Sequence, residues 1–277
     1  MKHRKKIKVS SVFVFLAMFI MTMTFLFPLW FMVINSFKTK IEYYKGQFAL
    51  PQALNFDNFR SIIVDFDIFT YFKSSMIVSI ASTLLIVFFS VFASYAFSKL
   101  RFKGKGIVYF CILATMFIPS QVSMVPAYVM FSKFGLINNY LSVILSYVAG
   151  GIPSAILLMN GTFMGISNEM LESAKIDGAG YFSIVRNVIF PMGISAVAIV
   201  IIFNFINYWN DLLTPMLFLS ASDKQTVMVA LTGLVQKTAA LPTYQMAGLF
   251  ISVLPAIVIY LFLQKFLVKG LTMGSFR

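Results

Sequence analysis

Residues 11–37 contain no Asp, Glu, Lys or Arg. As a helix rising 1.5 Å per residue, such a run outspans the ~30 Å hydrocarbon core of a bilayer, and it is far longer than the ~10 residues of a barrel strand. The rest of the chain keeps this character: 60% of residues are hydrophobic, 11% are charged and the mean hydropathy is +0.88. A soluble domain carries roughly 25% charged residues. The expected fold class is therefore an all-α integral membrane protein, with no room for a separate soluble catalytic domain.

Six transmembrane helices are expected. They lie in Ser11–Phe37, near Ser74–Ser98, near Gly106–Ser132, within Tyr140–Phe163, from Pro191 to about Trp209, and from about Met246 to Leu263. The basic start, with Lys2, Arg4, Lys5, Lys6 and Lys8, resembles that of a signal peptide. The apolar stretch behind it is too long for such a leader, and no small-x-small cleavage site follows. It reads as a retained first helix. Six spans put both ends on one side. That side then holds five basic residues before the first span, Lys99, Arg101, Lys103 and Lys105 after the second, Lys175 and Arg186 after the fourth, and Lys265, Lys269 and Arg277 at the end: 14 of the 22. The excess makes both termini cytoplasmic, and it accounts for the net charge of +13 without a nucleic-acid partner. The chain divides as one transmembrane domain: a basic tail (1–10), an outer loop (38–73), a core bundle (74–268) and a cytoplasmic tail (269–277). Leu212–Leu219 is apolar but too short to cross, and is expected to be re-entrant or interfacial.

Several kinds of chemistry lack raw material. Cys111 is the single cysteine and His3 the single histidine, so neither an intrachain disulfide nor a metal site is expected. The acidic residue nearest a span is Asp211, at the outer end of the fifth, with no second carboxylate for ion coupling. Gly104-Lys105 is followed by Gly106, without the Ser/Thr and upstream glycine of a phosphate-binding loop. No cofactor is expected on this chain. Pro119, Pro126, Pro153 and Pro255 fall within spans; each removes a backbone donor and is expected to bend its helix. Such bends serve either a packed bundle or a central path with moving walls.

One polar stretch interrupts the apolar pattern. Ser167 or Asn168 can cap a helix whose first turn holds Glu169. Glu172, Ser173, Ala174 and Lys175 continue it, and Asp177-Gly178 is placed to end it, glycine tolerating the left-handed conformation. Tyr181, Ile184, Val185 and Val188 recur at helical spacing before Pro191, which is expected to open the fifth span. On the cytoplasmic side, between two spans, this helix–turn–helix reads either as a solvated connector or as a docking element for a soluble partner.

Residues 167–191 resemble the EAA loop of ABC-transporter permeases: Glu172, Ser173 and Ala174, then Gly178, then Pro191. Ser173 stands where the family has its first Ala, Phe190 where it has Leu, and Ser167 where Pro is common. The likeness extends along nearly the whole chain to the carbohydrate-importer permeases of the maltose type. It runs through Tyr95-Ala96-Phe97-Ser98-Lys99, Met116-Phe117-Ile118-Pro119, Gly135-Leu136-Ile137-Asn138-Asn139, Trp209-Asn210-Asp211 and Lys269-Gly270-Leu271-Thr272-Met273-Gly274. One departure is Lys73-Ser74-Ser75, where an Asn commonly precedes the second Ser.

The resemblance implies the type I ABC importer permease fold in the cytoplasmic membrane of a prokaryote. It implies a second, different permease chain, an ATPase dimer holding ATP and magnesium, and an extracytoplasmic sugar-binding protein as partners, with membrane lipid around the bundle. Coupling to the ATPase would fall to Glu172, Ser173, Ala174, Asp177, Gly178 and Pro191, with Lys269, Gly270 and Gly274 near the same interface. Amide and aromatic groups suit sugars, so Asn204, Asn207, Tyr208, Trp209 and Asn210 are candidates to line the solute path; interfacial aromatics also serve as ordinary anchors. An importer of a non-sugar solute, such as a polyamine, a phosphonate or an amino acid, remains open. A membrane enzyme would need polar pairs near one face, which the sequence does not offer. A channel would work without an ATPase.

Overall fold

The computed structural model describes the backbone of residues 9–237 and 241–274, and the side chains of 12–235 and 241–266. The described chain is helical and forms two compact units. The first combines the chain up to Ile68 with Gly233–Val253; the second combines Phe69–Thr232 with the chain from Leu254 onward.

In the first unit, α1 (Val9–Ser36) is a single 28-residue helix through Pro28. None of its most apolar 18-residue window is buried within the chain. The outer loop after it is ordered by polar contacts. Thr39 and Glu42 form a reciprocal capping box that starts α2 (Lys40–Lys45). The Lys38 ammonium, 1% exposed, donates to Asn35 Oδ1 (2.9 Å) and to the carbonyls of Gly46 and Gln47 (3.0 Å each). Burial holds its pKa below the usual lysine range, and nearby Glu42 opposes that effect. Asn58, on the short α3 (Asp57–Arg60), donates to the carbonyls of Ser36 and Lys38, and a π turn, Ser61–Asp65, follows it.

In the second unit, α4 (Ile68–Lys99) and α7 (Tyr140–Met164) are unbroken helices of 32 and 25 residues. Between them lie α5 (Lys105–Ala114), a tight turn at Thr115–Phe117, and α6 (Ser120–Lys133). Behind α7 come α8 (Asn168–Ile176), α9 (Tyr181–Ile184), a π turn at Val185–Ile189, α10 (Phe190–Met192), α11 (Ile194–Asn210) and α12 (Leu213–Phe218). α13 (Val227–Lys237) and α14 (Pro242–Gly274) complete the chain, and α14 contributes to both units. The main core joins Ile86, Val91 and Tyr95 of α4 to Ala155, Met159 and Phe163 of α7 and Val197 and Val200 of α11. Small hydroxyl residues let these helices approach closely: Ser94 is fully buried and donates to the carbonyl of Ile156 across the α4–α7 interface.

Four expected spans are single helices, and two are not. The third is broken: α5 with its turn meets α6 at a 98° bend. Pro119, in extended conformation before α6, stands at that break. By contrast, Pro126, Pro153 and Pro255 lie inside α6, α7 and α14, which continue through them, so the expected bends do not interrupt those helices. The fifth span does not open at Pro191. Pro191 belongs to the arm Tyr181–Met192, which meets α11 at an 80° bend, and the long helix starts at Ile194, beyond Gly193. Proline fits a helix start, but here its φ is also compatible with the last turn of a preceding helical arm. Leu213–Phe218 forms a six-residue helix, too short to cross.

Candidate functional site

The polar stretch after α7 folds as two short helical arms around one turn. The Ser167 hydroxyl accepts from Met170 N (3.3 Å), so Ser167 rather than Asn168 caps α8. The other end is closed by a pair of backbone bonds, Gly178 N–H to Lys175 O (3.0 Å) and Ala179 N–H to Ala174 O (2.9 Å). This Schellman arrangement requires a left-handed residue after the cap, and Gly178 has φ +81°. The turn therefore has one defined geometry.

This element is anchored to the bundle rather than tethered to it. Leu171, Ile184, Val185 and Ile189 are buried in the same core as Tyr95, Met159 and Phe163. Lys99, the last residue of α4, donates to the carbonyls of Met164 and Ile166 and to Asn168 Oδ1. One ammonium thus closes the end of α7 and clamps the start of α8. Neither Lys99 nor the buried Lys38 stands out as functional in the sequence; the available signal was a lysine bordering a long apolar run.

The opposite face of the element is open. Glu172, Ser173, Asp177, Gly178 and Pro191 are exposed, and Ala174 is half-buried. Ile176 is 86% exposed and Tyr181 66%, while Phe182, 62% exposed, lays one ring face on Phe92 of α4. Apolar side chains left bare on a rigid polar element mark a contact surface. Lys269, Gly270 and Gly274 belong to the backbone of α14, and their surroundings lie outside the described residues.

The residues expected to line a solute path divide into two groups. Asn204 and Tyr208 are spent on packing α11 against α7. The Tyr208 hydroxyl donates to Tyr147 O (3.0 Å) and Asn204 Oδ1 (2.9 Å), and its ring stacks on Tyr147 at 4.1 Å. Tyr147 in turn donates to Asp211 Oδ2 (3.0 Å). Asn204 Nδ2 donates to Val200 O (2.8 Å). Trp209 is 1% exposed, stacked on Phe205 and edge-on to Phe72. Asn207 and Asn210, by contrast, are exposed, and Asn210 donates back to Ile206 O. The fit around Tyr208 is close: a Cβ on Gly151 would lie 2.3 Å from its hydroxyl and 2.4 Å from Ile86 Cδ1.

A helical bundle with a rigid charged element between two spans is compatible with more than one kind of transporter. Residues 86–273 match the family model described as "Binding-protein-dependent transport system inner membrane component". The chain belongs to this family. It is a transporter permease rather than an enzyme, built for the inner membrane. Among similar chains are the "Probable ABC transporter permease protein YurM" of Bacillus subtilis (strain 168), 32% identical over 100% of this chain and 92% of that one. The "Arabinooligosaccharides transport system permease protein AraQ" of the same organism is 27% identical over 100% and 99% of the two chains. A chain in the crystal structure of a bacterial ABC transporter involved in the import of the acidic polysaccharide alginate superposes with a TM-score of 0.81 at 22% identity, covering 96% of this permease and 98% of that chain. The fold expected from the sequence, an all-α importer permease, is thereby borne out.

Proposed function

We propose that this permease forms half of the translocation path of an ATP-driven importer for a sugar or oligosaccharide, and that residues 167–191 receive the closure of a partner ATPase. The observation that carries this reading is the rigid, outward-facing turn at Ala174–Gly178, bare on one side and wedged into the core on the other. Movement of a docked surface there reaches α4, α7 and α11 through Leu171, Ile184 and Ile189 with little lost in the connection. ATP and magnesium belong to the ATPase subunits. A second, different permease chain supplies the other half of the path, and an extracytoplasmic binding protein delivers solute. Both termini lie on the ATPase side, as the basic residues require. The choice of sugar rests on the names of the relatives and on the exposed amides Asn207 and Asn210, which suit hydroxyl groups.

The coupling is a free-energy difference between inward-open and outward-open states, biased by the docked ATPase. Glu172→Ala removes an anchoring charge. Gly178→Ala forces a left-handed alanine at a cost of about 1–2 kcal/mol. Both variants are expected to insert normally, to co-purify with less ATPase subunit and to lose uptake. Wild-type uptake in both would remove this loop from the coupling path.

A further inference from the structure

The third span breaks midway between Lys105, which starts α5, and Lys133, which ends α6. Just past the break, at mid-span, stands Gln121. A helix turns 100° per residue, so Gln121, Tyr128 and Ser132 (i, i+7, i+11) fall within about 20° of one line along α6. Met124, Ala127 and Phe131, the more buried residues of α6, lie to one side of this line. Val122 and Val129, 66% and 48% exposed, lie to the other side, facing away from the bundle.

The edge between these faces is open and carries these three polar residues beside Val125, which is 70% exposed. Gln121 and Ser132 are exposed, and Tyr128 is 39% exposed with its ring stacked on Phe218. The amide of Gln121 has one weak contact, from Ser120 Oγ at 3.4 Å. Neither the Tyr128 hydroxyl nor Ser132 Oγ has a side-chain hydrogen bond among the described residues. A primary amide within an apolar span is disfavoured against lipid tails and is found facing protein or a water-filled cavity.

We propose that Gln121, Tyr128 and Ser132 line the solute path from its outer mouth to mid-membrane, offering an amide, a ring edge and two hydroxyls to a hydroxylated, sugar-like solute. The inference rests on the importer reading above and adds residues that reading does not need. On α6, Val122 and Val129 face lipid.

The test is cysteine accessibility in the assembled transporter, in membrane vesicles, with Cys111→Ser as background. Single cysteines replace Gln121, Tyr128, Ser132, Val122 and Val129, and a membrane-impermeant charged thiol reagent is the probe. Thiolates form only in contact with water, and one unit of pKa changes the thiolate fraction about tenfold. Cysteines at 121, 128 and 132 are therefore expected to react at least about tenfold faster than those at 122 and 129. Labelling at 121 should also change when the ATPase is trapped with vanadate. Equal rates on both faces, or no reaction at 121 in either state, would overturn the proposal and place the stripe against another chain. ATP-driven uptake by the Cys111→Ser background, measured in the same vesicles, reports separately on the importer reading.

Discussion

Gly150 and Gly151 are neighbours in α7 with opposite requirements. A Cβ at Gly150 meets nothing within 4 Å, whereas one at Gly151 meets Tyr208, Ile86 and Asn204. Gly150→Ala should leave thermal stability unchanged or raise it by about 0.5–1 kcal/mol through helix propensity. Gly151→Ala should lower it by about 1–3 kcal/mol, because the Tyr208 hydroxyl and the Ile86 methyl must move together in a packed core. Thermal unfolding of the two variants in detergent checks the contrast. At this scale the sequence was a partial guide. The Trp209-Asn210-Asp211 segment was legible as a family signature, and Asn207 and Asn210 do remain exposed. Yet Asn204 and Tyr208, one turn apart on α11, are turned toward α7, and Trp209, on another face of the helix, is buried against Phe72 of α4. Composition says that amides and rings suit sugars; it does not say which of them the neighbouring helix uses.

At the scale of elements, the α8 turn depends on Lys99. With the ammonium gone, the carbonyls of Met164 and Ile166 lose a charged donor, an interaction worth about 1.5–3 kcal/mol. Lys99→Met should leave α4 and α7 folded but speed amide hydrogen exchange across residues 164–180. Unchanged exchange there would show that the core contacts of Leu171 alone hold the loop. The outer loop has its own sensitivity, to acid. Backbone and side-chain hydrogen bonds from Thr39 hold the Glu42 carboxyl below the usual glutamate range. A depressed folded-state pKa means the capping box contributes its full stability above the ordinary glutamate pKa and loses it as pH falls through the depressed value. Limited proteolysis at Lys40 and Lys45 should therefore accelerate below the ordinary carboxylate range and stay flat above it. The α8 cap, the Gly178 stop and the buried Ile184-Val185 pair were all readable from spacing. The bend at Pro119 was legible from its proline, though not its size; the break at Gly193 was not, because apolar periodicity runs across it, and the arms show that the chain turns by 98° and 80°.

At the scale of the molecule, the account divides labour. The apolar spans leave no charged pair to couple an ion, and Asp211, the acid at the end of α11, accepts from the Tyr147 hydroxyl and from Leu213 N. What the fold provides instead is a stiff connection between an exposed turn and the helices that would open and close. The all-α membrane class was legible because lipid imposes it on composition; the described helices give four unbroken spans, or six if each bent pair counts as one. The central claim is that the driving energy enters through residues 167–191 from another subunit. The direct measurement is solute accumulation in sealed vesicles containing the purified permease pair and binding protein, with and without the ATPase. The account predicts uphill accumulation only when ATPase and ATP are both present, and none when Gly178→Ala or Glu172→Ala disables the turn. Accumulation against a gradient by the permease chains alone would contradict it.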